Sequence, residues 1–271
     1  LSNAVRDLER EMGIDIFIRN PKGITLTKDG VEFLSYARQV VEQTNLLEER
    51  YKSHTETREL FSVSSQHYAF VVNAFVSLLK RADMTRYELF LRETRTYEII
   101  EDVKNFRSEI GVLFLNSYNR DVLTKMFDDN RLTYTSLFKA RPHIFVSKSN
   151  PLAKHEVVSL EDLEDFPYLS YDQGIHNSFY FSEEIMSQIH HKKSIVVSDR
   201  ATLFNLLIGL DGYTIATGIL NSNLNGDNIV SIPLDVDDVI DIVYLKHEKA
   251  NLSKMGEKFI DYLLEEVKFD K

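Results

Sequence analysis

From Leu60 onward the chain alternates strand-like and helix-like segments, which predicts an α/β fold with largely parallel sheets. About 210 residues is long for one sheet, so two lobes are expected. A polar stretch at 52–59 sets these lobes apart from a short N-terminal segment ending in one long amphipathic helix.

The elements follow in order. Leu1, Val5, Leu8 and Met12 recur at helical spacing, and Gly13 fits a helix C-cap. Residues 16–19 and 23–27 read as two short strands about a turn at Asn20, Pro21 and Lys22. Thr27 can N-cap the next helix, with Asp29 in its first turn. From Lys28 to about Tyr51 there is no proline, and Gly30 is the only glycine. Leu34, Ala37, Val41, Thr44, Leu47 and Tyr51 recur there at steps of three or four. This rod of about 35 Å is too long for the small elements before it to cover. Its stripe is therefore expected to pair with a second helix, through Leu34, Ala37, Val41 and Leu47.

Strands are expected near 60–64, 87–93, 110–115, 133–139, 142–147, 167–171, 194–197, 213–216, 229–232 and 239–245. Helices fit near 67–80, 96–106, 160–165, 178–190, 200–209 and 252–267. Crossovers are expected around 139–141 and 233–235. They would divide 59–271 into lobe I (about 59–139 and 236–271) and lobe II (about 140–235).

Composition narrows the chemistry. The chain has no cysteine, which excludes a disulfide scaffold, cysteine-ligated zinc, iron–sulfur clusters and thiol catalysis. No apolar run approaches the ~18 residues that span a bilayer, and the charged first thirty residues do not read as a signal peptide. A cytoplasmic location without membrane contact is the expectation. Residues 1–58 hold 9 Lys and Arg against 10 Asp and Glu, whereas the remainder holds 23 against 32. An acidic body is a poor nucleic-acid surface, so any DNA contact belongs to the nearly neutral N-terminal segment. No Gly-x-Ser-x-Gly elbow and no Gly-rich phosphate loop occur. The adjacent His190 and His191 cannot chelate jointly as an i, i+4 pair does. Neither catalysis, nor a metal, nor a cofactor is expected.

Residues 2–9 (Ser-Asn-Ala-Val-Arg-Asp-Leu-Glu), Met12-Gly13-Ile14, Phe17-Ile18-Arg19, Lys22 to Thr27 and Gly30, followed by the long helix, resemble the LysR-type transcriptional regulators. The remainder is similar to that family's two-lobed effector domain, akin to type 2 periplasmic binding proteins, most clearly over 199–218. The resemblance implies a partial winged helix-turn-helix at 1–27, a dimerising linker helix at 28–58 and an effector-binding domain at 59–271. It implies a homodimer or homotetramer that binds DNA and senses a small molecule. It also implies two further helices before residue 1, whose absence leaves Val5, Leu8 and Met12 uncovered. Weak operator binding by residues 1–271 alone is the expectation.

Ser2, Asn3, Arg6 and Arg10 lie opposite the apolar stripe of the first helix, where such side chains reach base edges or phosphates. Arg19 and Lys22 flank the wing turn, where contacts position rather than specify. The alternative for all six is a solvated surface. In the α/β part, loops at the carboxyl ends of strands are the ligand-binding positions. Ser64, Ser65 and Gln66 follow one predicted strand, Thr94 and Arg95 the next, and Asp172, Gln173 and Asn177 a strand of the other lobe. Hydroxyls, helix N-termini and one arginine suit an anionic effector. The alternative is that Ser64 and Thr94 only cap helices. Two rival functions remain: a transport-type solute-binding protein and a bilobal enzyme of an amino-acid pathway.

Overall fold

The computed structural model describes residues 2–20, 23–52, 59–82, 86–220 and 227–268. The chain divides into two compact units, 1–57 and 58–271.

In the first unit, α1 (Ser2–Met12) ends at Gly13, whose φ of +68° is a left-handed stop. The Glu9 carboxylate accepts the backbone N–H groups of Ile16 and Phe17, tying α1 to the ribbon that follows. That ribbon is β1 (Phe17–Asn20) antiparallel to β2 (Gly23–Leu26). Thr27 caps α2 (Lys28–Lys52) by accepting the N–H of Gly30 at 2.8 Å. Gly30 is required there, because a Cβ would stand 2.1 Å from the Ile16 carbonyl oxygen. Val5 and Leu8 are half-buried, and Met12 is exposed.

The second unit holds two five-stranded sheets. The first has the order β4-β3-β5-β12-β6, from β3 (Glu59–Ser65), β4 (Tyr87–Glu93), β5 (Ile110–Leu115), β6 (Leu132–Ala140) and β12 (Ile240–His247). The second has the order β11-β7-β10-β8-β9, from β7 (His143–Ser147), β8 (Tyr168–Tyr171), β9 (Ser194–Val197), β10 (Tyr213–Ala216) and β11 (Ile229–Pro233).

Strand β5 is buried along its whole length, and its alternation feeds two cores. Ile110, Val112 and Phe114 join the core under α3 (Ala69–Arg81) and α7 (Lys254–Lys268). Leu113 and Leu115 face α4 (Thr96–Lys104) and α5 (Arg120–Asp129). In the second sheet α6 (Arg200–Leu210) buries Leu203 and Leu207 against Phe145, Leu169 and Val197.

Four expectations need correction. The sheets are mixed, not largely parallel: β12 runs against β5 and β6, and β7 runs against β10 and β11. Each of these is the strand through which the chain enters a sheet from the other one. The helix expected at 178–190 is a single 3-10 turn, Phe179–Phe181. Three consecutive aromatics are poor helix formers, and Met186 sits at a φ of +58°. The helix expected at 160–165 is likewise one 3-10 turn, Glu161–Leu163, cut short before Pro167. Helix α5 was not expected, although Leu123 and Phe127 make a fully buried i, i+4 pair. Among the described residues no helix is long and apolar enough to cross a membrane.

Candidate functional site

The carboxyl ends of β3, β4 and β8 come together, as the α/β pattern requires. Strands β3 and β4 are parallel neighbours with Ser65 opposite Glu93, and the N–H of Thr94 donates to the Ser65 carbonyl at 2.8 Å.

The side chains divide by face. Ser64 is fully buried and is held on the α4 side by the Asp102 carboxylate at 2.8 Å and the Ser108 hydroxyl at 2.7 Å. Arg92 and Arg107 also pair with Asp102. Ser65 points the other way, and its buried hydroxyl has no hydrogen-bond partner among the described residues. Gln66 donates from Nε2 to Thr96 Oγ1 at 2.6 Å, while its Oε1 accepts from the Tyr68 hydroxyl and the Phe114 N–H.

Thr94 donates its hydroxyl to Glu98 within α4's first turn. Arg95 reaches the second lobe, giving Nη2 to the Asp172 carboxylate at 2.5 Å and Nε to its carbonyl at 3.1 Å. A third nitrogen of Arg95, Nη1, donates to Glu98 at 3.3 Å. The Asp172 carboxylate is held below its ordinary pKa, first by the Gly174 N–H and then by Arg95. This pair is about 40% exposed, so it contributes little to stability alone. Gln173 accepts the N–H of Thr96 at 3.2 Å, so it too spans the lobes. Asn177 is exposed and stands apart from this cluster.

Five residues beyond the expected set complete the arrangement: His67, Glu93, Glu183, Glu184 and Arg200. One Glu183 oxygen accepts from the His67 N–H at 2.9 Å and faces the His67 ring Nδ1 at 2.8 Å. The other accepts from Gln173 Nε2 at 3.0 Å. The imidazole stacks on Tyr171 with ring centroids 4.0 Å apart. Burial alone would lower the His67 pKa, but the hydrogen bond and charge of Glu183 outweigh it and the net shift is upward. Arg200 pairs with Glu93 at 3.2 Å. Glu184 accepts the Tyr171 N–H with one oxygen, and its other oxygen is buried without a partner among the described residues.

His67, Glu183, Glu184 and Arg200 border a cavity of about 50 Å³, with Thr214, Thr217 and a largely apolar wall that includes Phe70, Phe114, Phe145, Phe204 and Ile215; none of the eight effector-site residues expected from sequence lines it. A polar floor beneath aromatic walls suits a small polar head group on a compact body. Sequence reasoning missed Glu183 and Glu184 because they fall in a segment read as helix, where adjacent glutamates ordinarily face solvent.

On the first unit, Asn3, Arg6 and Arg10 lie on the exposed surface of α1, and Arg10 pairs with Asp7 at 3.2 Å. Lys22 and the side chains of Ser2 and Arg19 lie outside the described residues. Leu34 and Ala37 are half-buried on α2, whereas Val41 and Leu47 are each 58% exposed.

Residues 64–268 match the profile of the family described as the LysR substrate binding domain. The chain is 25% identical over 186 residues to the HTH-type transcriptional regulator YvbU of Bacillus subtilis, covering 66% of this chain and 58% of that protein. It is 25% identical over 181 residues to the transcriptional dual regulator GltC of the same organism, covering 64% and 56%. The match thus spans somewhat over half the length of these relatives. Among solved structures, HinK, a LysR family transcriptional regulator from Pseudomonas aeruginosa, superposes with a TM-score of 0.52 at 17% identity, over 98% of this chain and 87% of that one. The oxidized form of Corynebacterium glutamicum OxyR gives 0.54 at 14% identity, over 99% and 82%. At these identities the likeness is one of fold.

Proposed function

The chain belongs to the LysR substrate-binding domain family, and from that premise we propose that it is the sensing part of a LysR-type transcriptional regulator. Its effector is a small anionic metabolite bound where the carboxyl ends of β3, β4 and β8 converge. The observation that carries this reading is the polar network across the two lobes. His67, Arg95 and Thr96 on one side meet Glu183, Asp172 and Gln173 on the other, beside a cavity with apolar walls. A ligand that exchanges with any of these contacts shifts the lobes relative to each other, and such a shift is how binding biases a two-state protein.

The remaining roles follow. Asn3, Arg6 and Arg10 on α1, with Ser2, Arg19 and Lys22, contact DNA, and α2 pairs two chains through Val41 and Leu47, flanked by Leu34 and Ala37. In the oligomer, the lobe shift resets the spacing of the DNA-reading heads. Of the effector-site residues, Ser65, Gln66, Thr94, Arg95, Asp172 and Gln173 gather at the cleft. Ser64 supports it from behind through Asp102, and Asn177 stands outside the network.

A thermal-shift screen of small carboxylates against the chain tests the reading. A ligand raises the melting temperature by mass action, and Arg200→Ala should abolish the rise. A screen in which every stabilising compound acts equally on the native chain and on Arg200→Ala would contradict it.

A further inference from the structure

Three donors converge on Glu183: the backbone N–H of His67, the ring Nδ1 of His67 and the Nε2 of Gln173, all at 2.8–3.0 Å. The two from His67 lie just before α3, a 13-residue helix whose N-cap, Tyr68, provides no side-chain cap, and the third comes from the loop after β8. A backbone N–H with a cationic ring and an amide are what a free carboxylate needs. Next to this seat, Glu184 is 3% exposed, lines the cavity, and has one buried carboxyl oxygen with no partner among the described residues. Burial, and then the charge of Glu183, push its pKa well above 4.5. In the protonated form its O–H is a fourth donor, not yet used.

The charges show how an anion would enter. Arg200 is matched by Glu93, and His67 by Glu183. Among the described residues, an added anion would face Glu93 and Glu183, which already balance the two cations of the site, Arg200 and His67. Exchange for Glu183 keeps the count unchanged. Glu183 belongs to the turn segment after Phe179–Phe181, so its side chain can swing out without breaking a strand or an α-helix.

We propose that Glu183 is a built-in occupant of a carboxylate seat, and that a carboxylate ligand binds by displacing it from His67 and Gln173. This rests on the cleft being the effector site, and adds a competitor that the chain itself supplies. The competitor lowers apparent affinity, because only molecules with Glu183 withdrawn are competent to bind. It also couples binding to lobe position, because the His67–Glu183 bond that the ligand replaces joins the two lobes.

Chemical rescue tests the proposal in the full chain. Glu183→Ala leaves the seat without its carboxylate, and sodium acetate, matched in ionic strength by sodium chloride, is the probe. The variant should gain roughly 5–10 °C in melting temperature at about one hundred times its Kd for acetate. Wild type should gain far less, and adding His67→Ala should remove the gain. An equal response from wild type, or none from the variant, overturns the proposal. If Glu183→Ala does not fold, Glu183→Gln keeps the side-chain volume without its charge. Acetate should then still stabilise it more than wild type, and equal stabilisation overturns the proposal. The effector-site reading fails separately, only if the carboxylate screen yields no ligand that depends on Arg200.

Discussion

Ser64 and Ser65 are adjacent and chemically identical, yet the pleat of β3 sends them to opposite faces. Sequence placed both at the carboxyl end of a strand, which is where they are. It could not tell them apart, because what distinguishes them is Asp102, 38 residues away and 1% exposed. Asp102 is the buried carboxylate that gathers Ser64, Arg92 and Arg107, so losing it removes three charge-assisted contacts and leaves Ser64 with Ser108 alone. Asp102→Ala should cost roughly 3 kcal/mol and Ser64→Ala about 1 kcal/mol in urea unfolding. Equal costs would show that the aspartate is not the anchor. Glu184 carries a pH signature of its own. Its folded pKa is raised, so its contribution to stability is full below about pH 4.5 and is lost as pH climbs through the folded value. Glu184→Gln is neutral at every pH and keeps an acceptor for the Tyr171 N–H. It should melt above wild type at pH 8, with the difference vanishing near pH 4.5. His67, also raised, acts in the same direction from about pH 6.5 upward and remains in the variant. A variant that melts lower at pH 8 would refute the assignment.

At the scale of elements, regular apolar spacing was legible and local irregularity was not. The strands and the helices over 69–81, 200–210 and 254–268 stand within two or three residues of their expected places. Helix α5 was overlooked because its single buried pair, Leu123 and Phe127, lies between Asn and Asp residues that read as a loop. The opposite error at 178–190 concealed Glu183 and Glu184, since a helical pattern gives no reason to expect carboxylates turned inward. On helix α2, Val41 and Leu47 of the expected stripe are more than half exposed within the chain, as are Val31, Tyr36 and Val40. Apolar side chains left in water on a 25-residue helix favour pairing with a second helix. Val41→Asp with Leu47→Asp should reduce the sedimenting species to a monomer without changing the melting of the two-sheet unit, because neither side chain is buried. An unchanged sedimentation coefficient would remove α2 from the interface.

At the scale of the molecule, the chain passes from the first sheet to the second after β6 and returns before β12. The first sheet is therefore interrupted in sequence by the whole of the second, and segments as distant as 67 and 183 become partners. The alternation of strands and helices was enough to anticipate two lobes whose strand ends come together. It was not enough to anticipate how the lobes are held, because that depends on side chains of turns. The account's central claim is that an effector binds where these side chains meet. Hydrogen exchange with the strongest carboxylate from the thermal-shift screen tests it most directly. Amides at 66–70, 93–97, 171–174 and 183–185 should change their exchange together on binding, and those of α5 should not. Protection confined to segments outside that set, with the four unchanged, would contradict the claim.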